Sequence, residues 1–185
     1  MGSEHVIRRG QGGTWNERVR KTEDIYFSIG SNLGDRRKNI LSAIRSLDSV
    51  FGIHHAKLSS LVETVPWGFF SARNFLNCAV LYKLPLPSEV EAFESACLEI
   101  LDKCKRIEAD MGRDEQMEIT PNGDRVYKDR IIDIDILFCG SAHIRNSRLT
   151  IPHPLIANRE FVILPLQEIA EPSLYVMFPE VFKSK

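Results

Sequence analysis

The chain has 185 residues, 43% of them hydrophobic and 26% charged, and a formal net charge of −1. That length supports one domain with a sizeable core, and the near-neutral balance excludes a global field that would recruit nucleic acid or an anionic membrane. With so little net charge any polyanion must be bound by a local cluster of basic side chains, and no apolar run approaches the roughly 18 residues of a membrane span.

Residues 1–24, MGSEHVIRRGQGGTWNERVRKTED, have no apolar core and do not read as a secretory signal; they are expected to form a disordered extension before a single domain over 25–185. A short strand from Ile25 to Ile29 leads through a Gly-Ser-Asn-Leu-Gly turn to a helix capped by Asp35. Its Ile40, Ile44, Leu47 and Phe51 keep helical spacing up to a stop at Gly52. KLSSLVET reads as a strand, VPWGFFSARN as a loop, and FLNCAVLYKL as a strand closed by Pro85 and Pro87. Val90, Phe93, Cys97, Ile100, Cys104, Ile107 and Met111 predict a helix from Ser88 to Met111, opened by a Ser88-x-x-Glu91 capping box and ended by Gly112. A polar stretch, RDEQMEITPNGDRVYKD, then precedes the strand in KDRIIDIDILFCG, a turn at Cys139-Gly140 and the apolar segment FVILPLQEIA. The order β-α-β-β-α-β is a split βαβ arrangement, a mainly antiparallel sheet with helices packed on it, in the α+β class. Cys78, Cys97, Cys104 and Cys139 form no Cys-x-x-Cys pair. They read as buried reduced thiols of a cytoplasmic protein, not as zinc ligands or a disulfide framework.

The strand in KDRIIDIDILFCG carries a contradiction. Ile132, Ile134 and Ile136 alternate as a core-facing strand should, yet Asp133 and Asp135 stand between them, and strands disfavour Asp. Residues two apart share a face, with Cβ atoms separated by roughly 6.6 Å. Their carboxylates can converge on a hard cation such as Mg²⁺, with phosphates completing the shell. An isolated Asp-x-Asp also fits a strand with one face in water, where both groups are merely solvated. Context adds basic residues on both sides: Arg113, Arg125, Lys128 and Arg130 upstream, His153 and Arg159 downstream in TIPHPLIANREF. Acidic residues for a metal and guanidinium groups for moving phosphate charge are what a nucleoside triphosphate requires. There is no Gly-x-x-x-x-Gly-Lys-Ser/Thr loop and no dinucleotide fingerprint, so ATP would be held without a standard phosphate loop.

Taken in order, IGSNLGD, FLNCAV, RIEADMGR, RIIDIDILFCG and LTIPHPLIANREFVILPL resemble the 6-hydroxymethyl-7,8-dihydropterin pyrophosphokinase family of the folate pathway, from about Ile25 to about Pro172. The resemblance implies a ferredoxin-like α+β fold and transfer of the terminal pyrophosphoryl group of ATP to the pterin hydroxymethyl oxygen, releasing AMP. It implies that Asp133 and Asp135 hold two Mg²⁺ ions on the ATP phosphates and that Arg113 and Arg130 act with them. Thr64, Val65, Trp67, Phe75, Asn77 and Phe161 would line the pterin site, with Phe75 and Phe161 stacking on the ring. Glu108, Arg113, Arg130, Ile136, His153 and Arg159 would contact ATP. The expected partners are ATP and the hydroxymethyl dihydropterin, bound by a monomer.

Some residues depart from the family pattern. The loop after Arg113 is longer and more acidic than in the best-known members, Tyr127 stands where a Trp is often found, and Pro154 stands where some carry Tyr. Arg125 is a candidate substitute phosphate contact; Trp67 and Phe69 are candidate covers for the pterin, and their loop and 114–129 are candidate lids. Two other classes also fit an acidic pair on a strand: a ferredoxin-like ligand- or metal-binding regulatory module without chemistry, and a two-metal phosphodiesterase with water as nucleophile. AMP formation that depends on the pterin separates the transferase from both.

Overall fold

The structure is a computed structural model and describes residues 20–113 and 128–182. Strand β1, Arg20–Ser31, is longer at both ends than the sequence pattern predicts. Arg20 to Asp24 are not extension: they pair with Lys83 to Pro87, and Lys83 Nζ lies 2.8 Å from Asp24. A charged strand end is stable here because the ladder satisfies its backbone while the side chains stay in water. At the other end Gly30 and Ser31 belong to the strand and not to a turn.

Helix α1, Arg36–Phe51, begins where Asp35 accepts a hydrogen bond from the Lys38 amide at 3.0 Å and ends at Gly52, φ 68°. Both caps match the sequence reading. The expected single strand KLSSLVET is instead two short strands, β2 (Lys57–Leu58) and β3 (Val62–Thr64). Two serines interrupt it. The Ser59 hydroxyl accepts from the Ala79 amide at 2.9 Å, and the Ser60 amide donates to Glu168 at 2.7 Å. Side-chain bonds of this kind compete with a continuous ladder.

Strand β4, Phe75–Pro87, runs through both prolines that were expected to close it. β2 covers β4 only at Val80 and Leu81, so the Pro85–Pro87 end pairs on the β1 side alone. An edge of this kind tolerates a missing amide. Helix α2, Val90–Asp110, starts one residue later than the capping box requires; Glu89, not Ser88, is the N-cap and no side chain caps it. Val90 is exposed, while Cys97, Ile100, Cys104 and Ile107 form the buried stripe. The chain continues with β5 (Asp133–Cys139), the hairpin of β6 (Ile144–Arg145) and β7 (Thr150–Ile151), and helices α3 (Glu160–Ile169), α4 (Pro172–Met177) and α5 (Pro179–Phe182).

The main sheet is antiparallel, ordered β2-β4-β1-β5 with β3 also on β4. This is the α+β arrangement read from the sequence. Ile25, Phe27 and Ile29 of β1 face a core shared with α1 and α2. The opposite face is divided. Tyr26, Ala79, Leu81, Leu137 and Phe138 pack under α3 and α4, whereas Ser28, Gly30, Asn77, Asp133 and Asp135 lie beyond that cover. A β-bulge between Tyr26 and Phe27 resets the alternation. It places Leu137 and Phe138 together in the second core and returns Cys139 to the first. All four cysteines are buried and unbridged. Among the described residues no helix is long and apolar enough to cross a membrane.

Candidate active site

The uncovered half of the sheet is the floor of the site. Ser28 lies opposite Ala79 and Asp135, and Gly30 lies opposite Asn77 and Asp133, so three adjacent strands present these side chains in two rows. A side chain at position 30 would not fit: its Cβ would stand 2.6 Å from Asn77 Oδ1. Asn77 is buried and donates through Nδ2 to Thr64 Oγ1 at 2.9 Å, which fixes its amide over the glycine.

Two cavities open above this floor. The first holds about 530 Å³, including space open to solvent, and is walled by Thr64, Val65, Trp67, Phe69, Phe75, Asn77 and Phe161. Its aromatic walls and few polar groups suit a flat heterocycle. The second holds about 1210 Å³ on the same measure; Lys105, Arg113, Arg148, Thr150 and His153 line it with Pro154 and Ile136. Asp133, Asp135, Arg130 and Arg159 border both. The Arg159 guanidinium lies 4.6 Å from the Trp67 ring centroid and 5.6 Å from that of Phe161.

Residues 26–171 match the family model described as 7,8-dihydro-6-hydroxymethylpterin-pyrophosphokinase. The chain belongs to that family. It is 37% identical over 150 residues to the 2-amino-4-hydroxy-6-hydroxymethyldihydropteridine pyrophosphokinase of Aquifex aeolicus, covering 81% of each chain. The enzyme of the same name from Porphyromonas gingivalis is 37% identical over 147 residues, 79% of this chain and 90% of that one. The mitochondrial folate synthesis bifunctional protein of Pisum sativum is 36% identical over 147 residues, 80% of this chain but 25% of its own length. This chain is therefore a pyrophosphokinase, an ATP-using transferase of folate biosynthesis. The binding-module and phosphodiesterase readings fall away.

Within this pyrophosphokinase the two aspartates are not equivalent. Arg113 reaches Asp133 Oδ1 at 2.6 Å and Arg130 reaches Oδ2 at 2.6 Å. Burial opposes ionisation of Asp133, but these two guanidinium groups outweigh it and hold the carboxyl below its usual range. Burial and the neighbouring Asp133 charge push the Asp135 carboxyl above the usual range, against the pull of His153. His153 in turn is lowered by burial despite facing Asp135.

Among the described residues, every one assigned to catalysis, the pterin or ATP except Glu108 lines one cavity or both, while Lys128 lines neither. Glu108 is buried behind the wall: it accepts from the Ile134 amide at 2.6 Å and pairs with Lys105 at 2.8 Å and Arg113 at 2.5 Å. Burial raises its carboxyl above the usual range even so. It holds the cations that reach the cavity and does not itself face it. Sequence reasoning missed Ser28 and Gly30 on the floor and Lys105, Arg148 and Thr150 in the second cavity. Tyr26, Ser28 and Gly30 shrink in size along one face of β1; that signal was obscured by assigning Gly30 to a turn. Arg125 and Tyr127 lie outside the described residues.

Proposed function

We propose that the aromatic cavity takes the hydroxymethyl dihydropterin and the basic cavity takes ATP, with Asp133 and Asp135 holding two Mg²⁺ ions at the border. One observation carries this reading: the two cavities share Asp133, Asp135, Arg130 and Arg159. A reaction between a flat ring and a triphosphate needs its charged groups at such a junction.

The donor set fits the metal. Asp133 and Asp135 offer oxygen donors only, side by side on one strand face, and Arg113 and Arg130, which now contact Asp133, would turn to the phosphates when these and water complete the shell. Mg²⁺ is commonly bound by one or two carboxylates with substrate phosphates and water. Bound there, it would neutralise developing charge on the phosphate oxygens.

The chain's own residues align the partners. Thr64 orients the Asn77 amide toward the ring edge, where an amide offers both donor and acceptor. Phe75 and Phe161 stack on the ring and leave its hydroxymethyl arm facing the carboxylates. Arg113, Arg130 and Arg159 supply charge for the phosphates, and His153 stands beside Asp135. The pterin hydroxyl oxygen then attacks the β-phosphorus in line and releases its proton to solvent, while the β-phosphorus bond to the α-phosphate bridging oxygen breaks and AMP leaves carrying that oxygen. Such transfer rests on positioning and charge stabilisation more than on a strong base. Both cavities are built by one chain, which supports action as a monomer. The four buried, unbridged cysteines support a reducing cytoplasmic setting.

The test is pterin-dependent AMP formation by Asp133→Ala and Asp135→Ala. Each is expected to lose on the order of 10²–10³-fold in turnover, with an unchanged circular dichroism spectrum. Calorimetric titration of Mg²⁺ against the wild-type enzyme and a non-hydrolysable ATP analogue should give two ions. Turnover near wild type in both variants, or no ion binding with nucleotide present, overturns the proposal.

A further inference from the structure

The loop over 65–74 supplies Trp67 and Phe69 to the aromatic cavity, and its stem is fixed to the start of α1. Arg36 reaches Glu63 at 2.9 Å before the loop and the carbonyl of Asn74, its last residue, at 2.8 Å. A second anchor comes from the other side of the site. Arg73 NH1 donates to Asp129 Oδ2 at 2.7 Å, and Asn32 Nδ2 donates to Asp129 Oδ1 at 2.6 Å.

Asp129 directly precedes Arg130, and that backbone is pinned to the end of β1. The Arg130 amide donates to Asn32 Oδ1 at 2.7 Å, the Asn32 amide donates to the Arg130 carbonyl at 3.1 Å, and the Arg130 guanidinium reaches Asp133. Arg73 is therefore tied to the segment that delivers a cation to the carboxylates. The loop it belongs to places Trp67 on Arg159, which borders both cavities. Hydrogen bonds from Ser71, Asn32 and Arg73 hold Asp129 below the usual carboxylate range, against burial, so it is charged at neutral pH.

We infer that the Arg73–Asp129 pair is a positioning device for the established reaction: it holds the Trp67 loop in place over the aromatic cavity in register with Arg130. Neither residue lines either cavity; the pair acts on the aromatic cavity through the Trp67 loop and uses the pinned Asp129–Arg130 backbone as its anchor. Its guanidinium is largely exposed, so it adds little to global stability. Its effect is instead to remove conformations of the loop that a ligand would otherwise have to suppress. The inference rests on the reading that this cavity takes the pterin.

The experiment is steady-state kinetics and thermal melting for Arg73→Gln, Asp129→Asn, the double variant and Arg73→Lys. Each neutralised single variant should raise the pterin KM three- to tenfold, with kcat and ATP affinity in the absence of pterin within twofold and the melting midpoint nearly unchanged. The double variant should be no worse than either single one, since both remove the same interaction, and Arg73→Lys should stay close to wild type. Pterin KM within twofold of wild type in either neutralised single variant, or effects that multiply in the double one, overturns the inference. Asn77→Ala run alongside separates the two levels of argument. If it weakens pterin while Arg73→Gln does not, the pair alone fails; if it also leaves pterin binding unchanged, the placement of the pterin fails.

Discussion

Gly30 shows how much of the site depends on the size of one side chain. Only hydrogen stands between its Cα and the Asn77 amide, and an added methyl would collide with Oδ1. Asn77 could yield only by giving up its bond to Thr64. Gly30→Ala should therefore raise the pterin KM about tenfold, as expected for one polar contact worth roughly 1–2 kcal/mol. The ATP KM should stay within a factor of about two on the same argument. Kinetics with each substrate varied in turn would check this, and an unchanged pterin KM would count against the placement of Asn77. The sequence made Asp133 and Asp135 legible as a pair on one strand face because period-two alternation is unambiguous there. It could not reveal that Asp133 is already held by two arginines while Asp135 is not. That asymmetry comes from residues 20 positions upstream and three positions back, which only the fold brings together.

The regular elements were readable where local chemistry and tertiary packing agree. α1 is the best case, with Asp35 at one end and Gly52 at the other. Replacing Asp35 by Ala should lower stability by about 1 kcal/mol, or roughly 2–4 °C in melting temperature for a domain of this size. Urea denaturation would measure it, and no loss would mean that the Lys38 amide is satisfied by water at no cost. Elements were misread where tertiary contacts override local preference. The Ser88 box goes unused, with Glu89 standing at the N-cap in its place, and KLSSLVET breaks because Ser59 and Ser60 bond to Ala79 and Glu168. Arg20 to Asp24 looked like a tail because charge was weighed without its pairing partner.

At the scale of the molecule, α1 and the sheet are joined by a polar knot away from the site. Asp48 accepts from the Tyr82 hydroxyl at 2.6 Å and from the His55 amide at 3.1 Å, and the rings of His54 and His55 lie at 3.0 and 3.3 Å. Burial works against its charge, yet Tyr82, His54 and His55 outweigh it and bring the carboxyl down to about 2. A folded-state value below the unfolded one contributes stability that is complete above about pH 5 and is lost as pH falls through the folded value. Asp48→Asn should therefore be less stable than wild type by on the order of 1–2 kcal/mol at pH 6, allowing for solvent screening. The gap should close toward pH 2. Urea midpoints at pH 6, 4 and 2.5 would test this; a gap that widens on acidification reverses the sign and removes the argument.

The divided sheet face has a consequence for inhibitors. The base of the reaction vessel is made from stretches of β1, β4 and β5 whose other face, through Ile29, Cys78 and Ile134, closes the hydrophobic interior, so it cannot adapt to a new guest without loosening that interior. Amide hydrogens of Ser28, Gly30 and Ile134 should exchange with solvent only on global opening, while those of the 65–74 rim exchange much sooner. Compounds that match the base will meet a fixed template. Compounds that reach the rim will meet the part of the wall where selectivity can be gained.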